Sequence, residues 1–193
     1  MSISLYDLSV PTFLQTMRAV SGVLDRAARH CAESGADAHD FVGARLYPDM
    51  APFHFQIESI KNHAVWGMEA VRTGEFAPPP LVGARPFAEL RAVVAEAIGA
   101  LEALTPGEVN RWSGRELDIS LFRPVDQDNA CTSPWAARRL SFTPETLLLS
   151  YSIPNFYFHV VTAYTILRTR GVPIGKGDYE GCLRTSAASP LPS

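Results

Sequence analysis

Two of the five histidines in this chain stand where neighbouring helices would bring them together. His63 flanks an apolar stripe through Ile60 and Ala64, and His159 flanks one through Phe156, Val160, Ala163 and Leu167. Asn155 precedes His159 by four residues, so both side chains reach one point beside their helix. A wheel at about 100° per residue puts Asn155, His159, Thr162 and Ile166 roughly 60–120° from that apolar centre. Two helices can therefore bring His63, Asn155 and His159 together near the protein interior, where inward side chains of a bundle can build a metal or ligand site. If His63 and His159 share an ion, their imidazole nitrogens lie about 3–4 Å apart, given Zn–N distances near 2.0–2.1 Å. The set is thin, because zinc prefers three or four strong ligands, and a histidine beside an apolar face is more often hydrogen-bonded core. His54 points away from His63, and His30 and His39 fall at a helix end and in a loop. Glu58 and Glu69 lie off the apolar stripe and are expected to be solvated.

Other chemistries find less support. Gly175-Lys176-Gly177, with Gly181 beyond, follows a helix instead of linking a strand to one, so the phosphate-loop and dinucleotide readings fail on context. No GxSxG motif occurs, and Cys131 lacks the signature of a thiol protease. No residue is assigned a catalytic role. Five arginines cluster between helices (Arg111, Arg115, Arg123, Arg138, Arg139). They make either a solvated face or an anion-binding rim, with Arg138 and Arg139 beside an anionic substrate.

The elements that must position these residues are mostly helices. Phe13, Met17, Val20, Leu24, Ala28 and Cys31 recur at spacings of three and four, predicting a helix from about Pro11 to Cys31. Residues 2–9 are expected to form a separate capped turn around Ser4 and Asp7. A second helix is predicted from Pro48-Asp49 to about Arg72, burying Phe53, Ile57, Ile60, Ala64, Met68 and Val71, and a proline-rich connection follows to Pro86. Phe87, Leu90, Val94, Ala97, Leu101 and Leu104 mark a third helix, closed by Thr105-Pro106-Gly107. From Glu108 to Leu140 the helical period vanishes. Residues 116–121 alternate as a half-buried strand does, with a pairing strand expected at 138–142. Thr143 as cap and Pro144 at the first position open the last helix, which runs to about Arg170. Pro154 inside it is expected to kink it. On the same wheel, Leu147, Tyr151, Phe158 and Val161 lie off the core face and need cover from the insertion or from a second copy of the chain.

The fold class is thus all-α: four helices with a short extended insertion before the last, in one domain over residues 1–184 with a flexible tail at 185–193. The 193 residues carry 17 basic and 20 acidic side chains, a net charge of −3. No basic footprint for nucleic acid exists. Three widely spaced cysteines and an N-terminus without a signal pattern point to the reducing cytoplasm. The apolar run Leu147–Leu167 carries too many polar groups for a membrane span.

The segments SLYDLSVPTFL (4–14), ARLYPDM (44–50) and PNFYFHVVTAYTILRTRGVPIGK (154–176) resemble an uncharacterised bacterial and fungal family. It is known as a domain of unknown function within the DinB-like, or YfiT-like, superfamily. The likeness spans residues 3–181. It implies a four-helix bundle of the up-down-down-up type, often dimeric, with a divalent metal held by one histidine on the second helix and a later HxxxH pair. By position His63 matches the first ligand and His159 the last, while Asn155 stands where the pair's first histidine would be. Asparagine is a poor ligand for zinc or nickel. Small thiols as co-substrates are implied by the same resemblance. Two functions follow as expectations. One is a metal-dependent enzyme, a thiol-dependent transferase or hydrolase-like protein acting on a small molecule. The other is a non-catalytic homodimeric binding or scaffold protein that has lost the metal.

Overall fold

In the computed structural model, which describes residues 3–121 and 138–185, the first helix starts well before its apolar stripe. The Ser4 hydroxyl oxygen accepts from the Asp7 N–H at 3.2 Å, as an N-cap serine does. Helix α1 (Leu5–Ser34) then runs unbroken for 30 residues. Residues 5–9 are its first turns, and the expected separate turn does not exist. Pro11 lies inside this helix. Proline offers no N–H to the carbonyl four residues back, here that of Asp7. The Arg184 guanidinium donates to that carbonyl instead, at 3.2 Å.

His39 belongs to a short helix, α2 (His39–Val42), where a loop was expected. The second long helix begins at Phe53, later than predicted, because Pro52 is extended and forms its N-cap. It comes in three pieces: α3 (Phe53–Lys61), a π-helical turn (Asn62–Trp66) and α4 (Gly67–Thr73). Helix α5 (Phe87–Glu102) stops short of Thr105. Thr105 then caps a further short helix, α6 (Pro106–Asn110), with Pro106 in its first turn. Strand β1 (Leu117–Leu121) pairs antiparallel with β2 (Arg138–Phe142), Leu117 opposite Phe142, as the alternation predicts.

Thr143 and Thr146 form a reciprocal capping box at the start of α7 (Pro144–Leu147). A second π turn (Leu148–Ser152) leads into α8 (Ile153–Thr169). Pro154 falls in the first turn of α8, and the disruption expected of it takes the form of the wide turn just before it. A short α9 (Lys176–Glu180) closes the chain.

Helix α1 packs against α5, α8 and α9, and α3 packs against α5 and α8, so these long helices enclose one core. The predicted stripes are buried, with Ala28 and Leu104 half-buried at its edge. Phe13 and Phe156 meet edge to face at 5.0 Å and 82°, a favoured aromatic geometry. No described helix is long and apolar enough to cross a membrane.

One predicted face is wrong. Leu147 is fully buried and Tyr151 packs on the core, whereas Phe158 and Val161 are 59% and 46% exposed. A 100° wheel loses register across Leu148–Ser152, because a π turn holds an extra residue. Arg123, Asp126, Asp128, Asn129, Cys131 and Pro134, and the tail beyond residue 185, lie outside the described residues, as does the Arg138 side chain.

Candidate functional site

The π turn in the second long helix carries His63 inward, to 9% exposure. Helix α8 brings His159 to meet it. The two imidazole rings lie 5.4 Å apart between centroids, with planes only 13° from parallel. Aromatic rings close around them. Phe76 stacks on His63 at 5.9 Å, and Tyr151 meets both His63 and Phe76 edge-on at 5.4 and 5.5 Å. Phe55 and Phe158 flank His159 at 5.9 and 5.3 Å.

Gln56 fixes the protonation of His159. Its side-chain N–H donates to the Ala51 carbonyl at 2.9 Å, which turns its oxygen toward the imidazole. That oxygen lies 2.7 Å from His159 Nδ1. An amide oxygen only accepts, so Nδ1 carries the proton and Nε2 keeps its lone pair. His63 Nδ1 is buried with no hydrogen-bond partner among the described residues. Burial lowers the His63 pKa to about 4. For His159, burial first and the neighbouring His63 second lower it to about 3. Both rings are therefore neutral at pH 7. Burial likewise raises the Tyr151 phenol.

Asn155 sits one turn before His159, as predicted. Its amide nitrogen donates to the Tyr151 carbonyl at 2.7 Å. Its side-chain oxygen remains an acceptor. Among the described residues, no three His, Cys, Asp or Glu side chains gather closely enough to hold an ion.

The segment between Gly74 and Pro86 covers His63. It delivers Phe76, 8% exposed, onto His63. It is held down by Glu58, whose carboxylate accepts from the Val82 and Gly83 N–H groups at 2.7 and 3.1 Å. Glu58 is thus buried, 7% exposed, and not solvated as expected. Its burial alone would raise its pKa, but the nearby His54 imidazole, the bonds to those two amides and the Arg85 charge bring the carboxyl below its ordinary value. His54 Nδ1 stands 3.9 Å from Glu58 and takes no part in the His63 group. Glu69 is partly exposed and pairs with Arg72.

Among the described residues, Arg111, Arg115 and Arg139 make no common rim. Arg111 donates to the Gly107 carbonyl, Arg115 to the carbonyls of Val71 and Arg72, and Arg139 pairs with Asp118 at 3.2 Å on the exposed sheet. Sequence reasoning missed Gln56, Phe76 and Tyr151. Gln56 precedes His63 by seven residues, two helical turns on one face, and that spacing was the available signal.

A family model described as a domain of unknown function, DUF1993, matches residues 5–180. The chain belongs to the DUF1993 family. The crystal structure of a DinB family member protein from Shewanella denitrificans is similar to this DUF1993 chain at 26% identity, with a TM-score of 0.72, over 95% of each chain. The DUF1993 chain thus has a DinB-like helical fold. No protein with a curated description matches it.

Proposed function

We propose that this chain is a DinB-like bundle of the up-down-down-up type. In this reading it works in the cytoplasm as a metal-assisted enzyme, a thiol-dependent transferase or hydrolase-like protein acting on a small molecule. His63 and His159 would hold a divalent ion, zinc or nickel, with Asn155 or water completing its shell. The observation that carries the reading is the pairing of an orphaned His63 nitrogen with a His159 whose Nδ1–H is anchored by Gln56. Metal-binding histidines are commonly oriented by such an outer hydrogen bond. The depressed pKa values favour it too, because no proton competes with the ion above pH 5. The donor chemistry fits a labile ion with open positions and does not fit a closed structural zinc site. Such an ion lowers the pKa of a bound water or thiol. The protein's own groups do the rest: Gln56 orients His159, and Phe76 and Tyr151 keep bulk water from His63.

Elemental analysis of untagged protein, followed by zinc and nickel titration, tests this. The expected result is about one ion per chain, lost in His63→Ala and in His159→Ala. Absence of metal uptake by the wild type overturns it.

A second reading has its own support. The missing third strong ligand among the described residues favours a non-catalytic binding protein that keeps the bundle without the ion. Exposed Leu149, Phe158 and Val161 favour a homodimer through the last helix in either reading. In a dimer, Phe158→Glu buries an unpaired charge and splits it. In a monomer the same change leaves the mass unaltered, and light scattering separates the two.

A further inference from the structure

The π turn that carries His63 also carries Trp66. Trp66 lines a cleft of about 260 Å³ between that turn, the end of α5 and the start of the insertion, and Trp112 lines it too. Leu101, 1% exposed, belongs to its apolar wall. Three charged residues, Glu69, Arg72 and Glu108, complete it. Arg72 grips Glu69 at two points, Nε at 2.8 Å and Nη2 at 2.5 Å. A bidentate pair of this kind largely cancels its own charge. Glu108 is half-buried, and its carboxylate has no hydrogen bond or ion pair among the described residues; only its backbone N–H is engaged, by the Thr105 cap. The neighbouring guanidiniums of Arg111 and Arg115 are not part of the cleft and donate to backbone carbonyls.

Two indoles, an apolar wall and a carboxylate with no hydrogen bond or ion pair among the described residues select a particular ligand chemistry. Aromatic faces attract a poorly hydrated cation, tryptophan most strongly. The carboxylate rejects anions. The wall rewards methyl or methylene groups that a hydrated metal ion lacks. We propose that this cleft binds a small organic ammonium ion. None of the residues that line the cleft surrounds the imidazole pair, and the site does not depend on any metal there.

Choline chloride, titrated calorimetrically at low salt, is the probe. The neutral isostere 3,3-dimethylbutan-1-ol controls for shape alone. Saturable choline binding in the millimolar range is expected. Glu108→Gln should weaken it by about tenfold, Trp112→Ala should abolish it, and Trp112→Phe should retain part of it. His63→Ala should leave it unchanged. The proposal is overturned if choline does not saturate, if the neutral isostere binds as well, or if folded Glu108→Gln binds like wild type.

Discussion

Acid should destabilise this protein before its carboxylates begin to titrate. In the unfolded chain His63 and His159 bind protons near pH 6.5; in the folded protein they resist until about pH 4 and 3, mainly because burial disfavours the charged ring. A base whose folded pKa is depressed leaves the unfolded state holding more protons, so stability falls as pH drops below 6.5. At pH 5 the folded rings are still neutral, and each has lost about 2 kcal/mol relative to neutral pH, at 1.36 kcal/mol per unit. The pair together loses about 4 kcal/mol, a large share of the 5–15 kcal/mol typical of a domain. Urea unfolding with chelator present, at steps from pH 7.5 to 5, measures it. His63→Phe, which replaces one ring among Phe76 and Tyr151, should remove about half of the slope. A wild-type stability constant to within about 1 kcal/mol over that range refutes the reasoning. So does an unchanged slope in His63→Phe.

Two other substitutions probe the frame around the pair. A methyl at Gly67 would lie 2.4 Å from Ser152 Oγ and 3.1 Å from its Cβ, so Gly67→Ala should cost about 1–3 kcal/mol through overpacking. Ser152→Ala should be neutral or stabilising, since that hydroxyl is buried without a partner among the described residues, and should relieve much of the Gly67→Ala cost in the double variant. If Gly67→Ala alone stabilises by about 1 kcal/mol, as at an open helix position, the close approach is wrong. Glu58→Gln should cost about 1–3 kcal/mol and speed hydrogen exchange at Val82 and Gly83, whose N–H groups it holds; unchanged exchange there shows that the carboxylate is not the clasp.

Much of this architecture is legible in the sequence because each signal has a local cause. Thr143-Pro144 announces a helix start whatever lies around it, and the three-four spacing from Phe87 to Leu101 can bury only one face. The meeting of His63 with His159 follows from the same geometry. The two π turns are not legible, since nothing in NHAVW or LLSYS departs from ordinary helical residues. That single unseen residue misplaced Leu147 and Tyr151. Glu58 was misread for another reason: its partners are backbone amides of a distant connection, and amides leave no mark in the side-chain pattern. Pro11 was expected to open its helix and instead lies inside it, and the arginine that serves the orphaned Asp7 carbonyl stands 177 positions beyond that residue.

The wide turns at Asn62–Trp66 and Leu148–Ser152 meet where Gly67 faces Ser152, and that has a consequence for how such a chain can change over time. Each turn is a surplus of one residue. Deleting one residue from Asn62–Trp66 would relax the helix to its ordinary pitch. It would also swing α4 by about 100° and draw it back by about 1.5 Å. Met68 and Val71 would leave the core together, and Gly67 would no longer sit opposite Ser152. A single-residue deletion, the mildest of accidents in a loop, is here an injury to half a helix. Inheritance must therefore keep both surpluses or rebuild the seam between these helices at once.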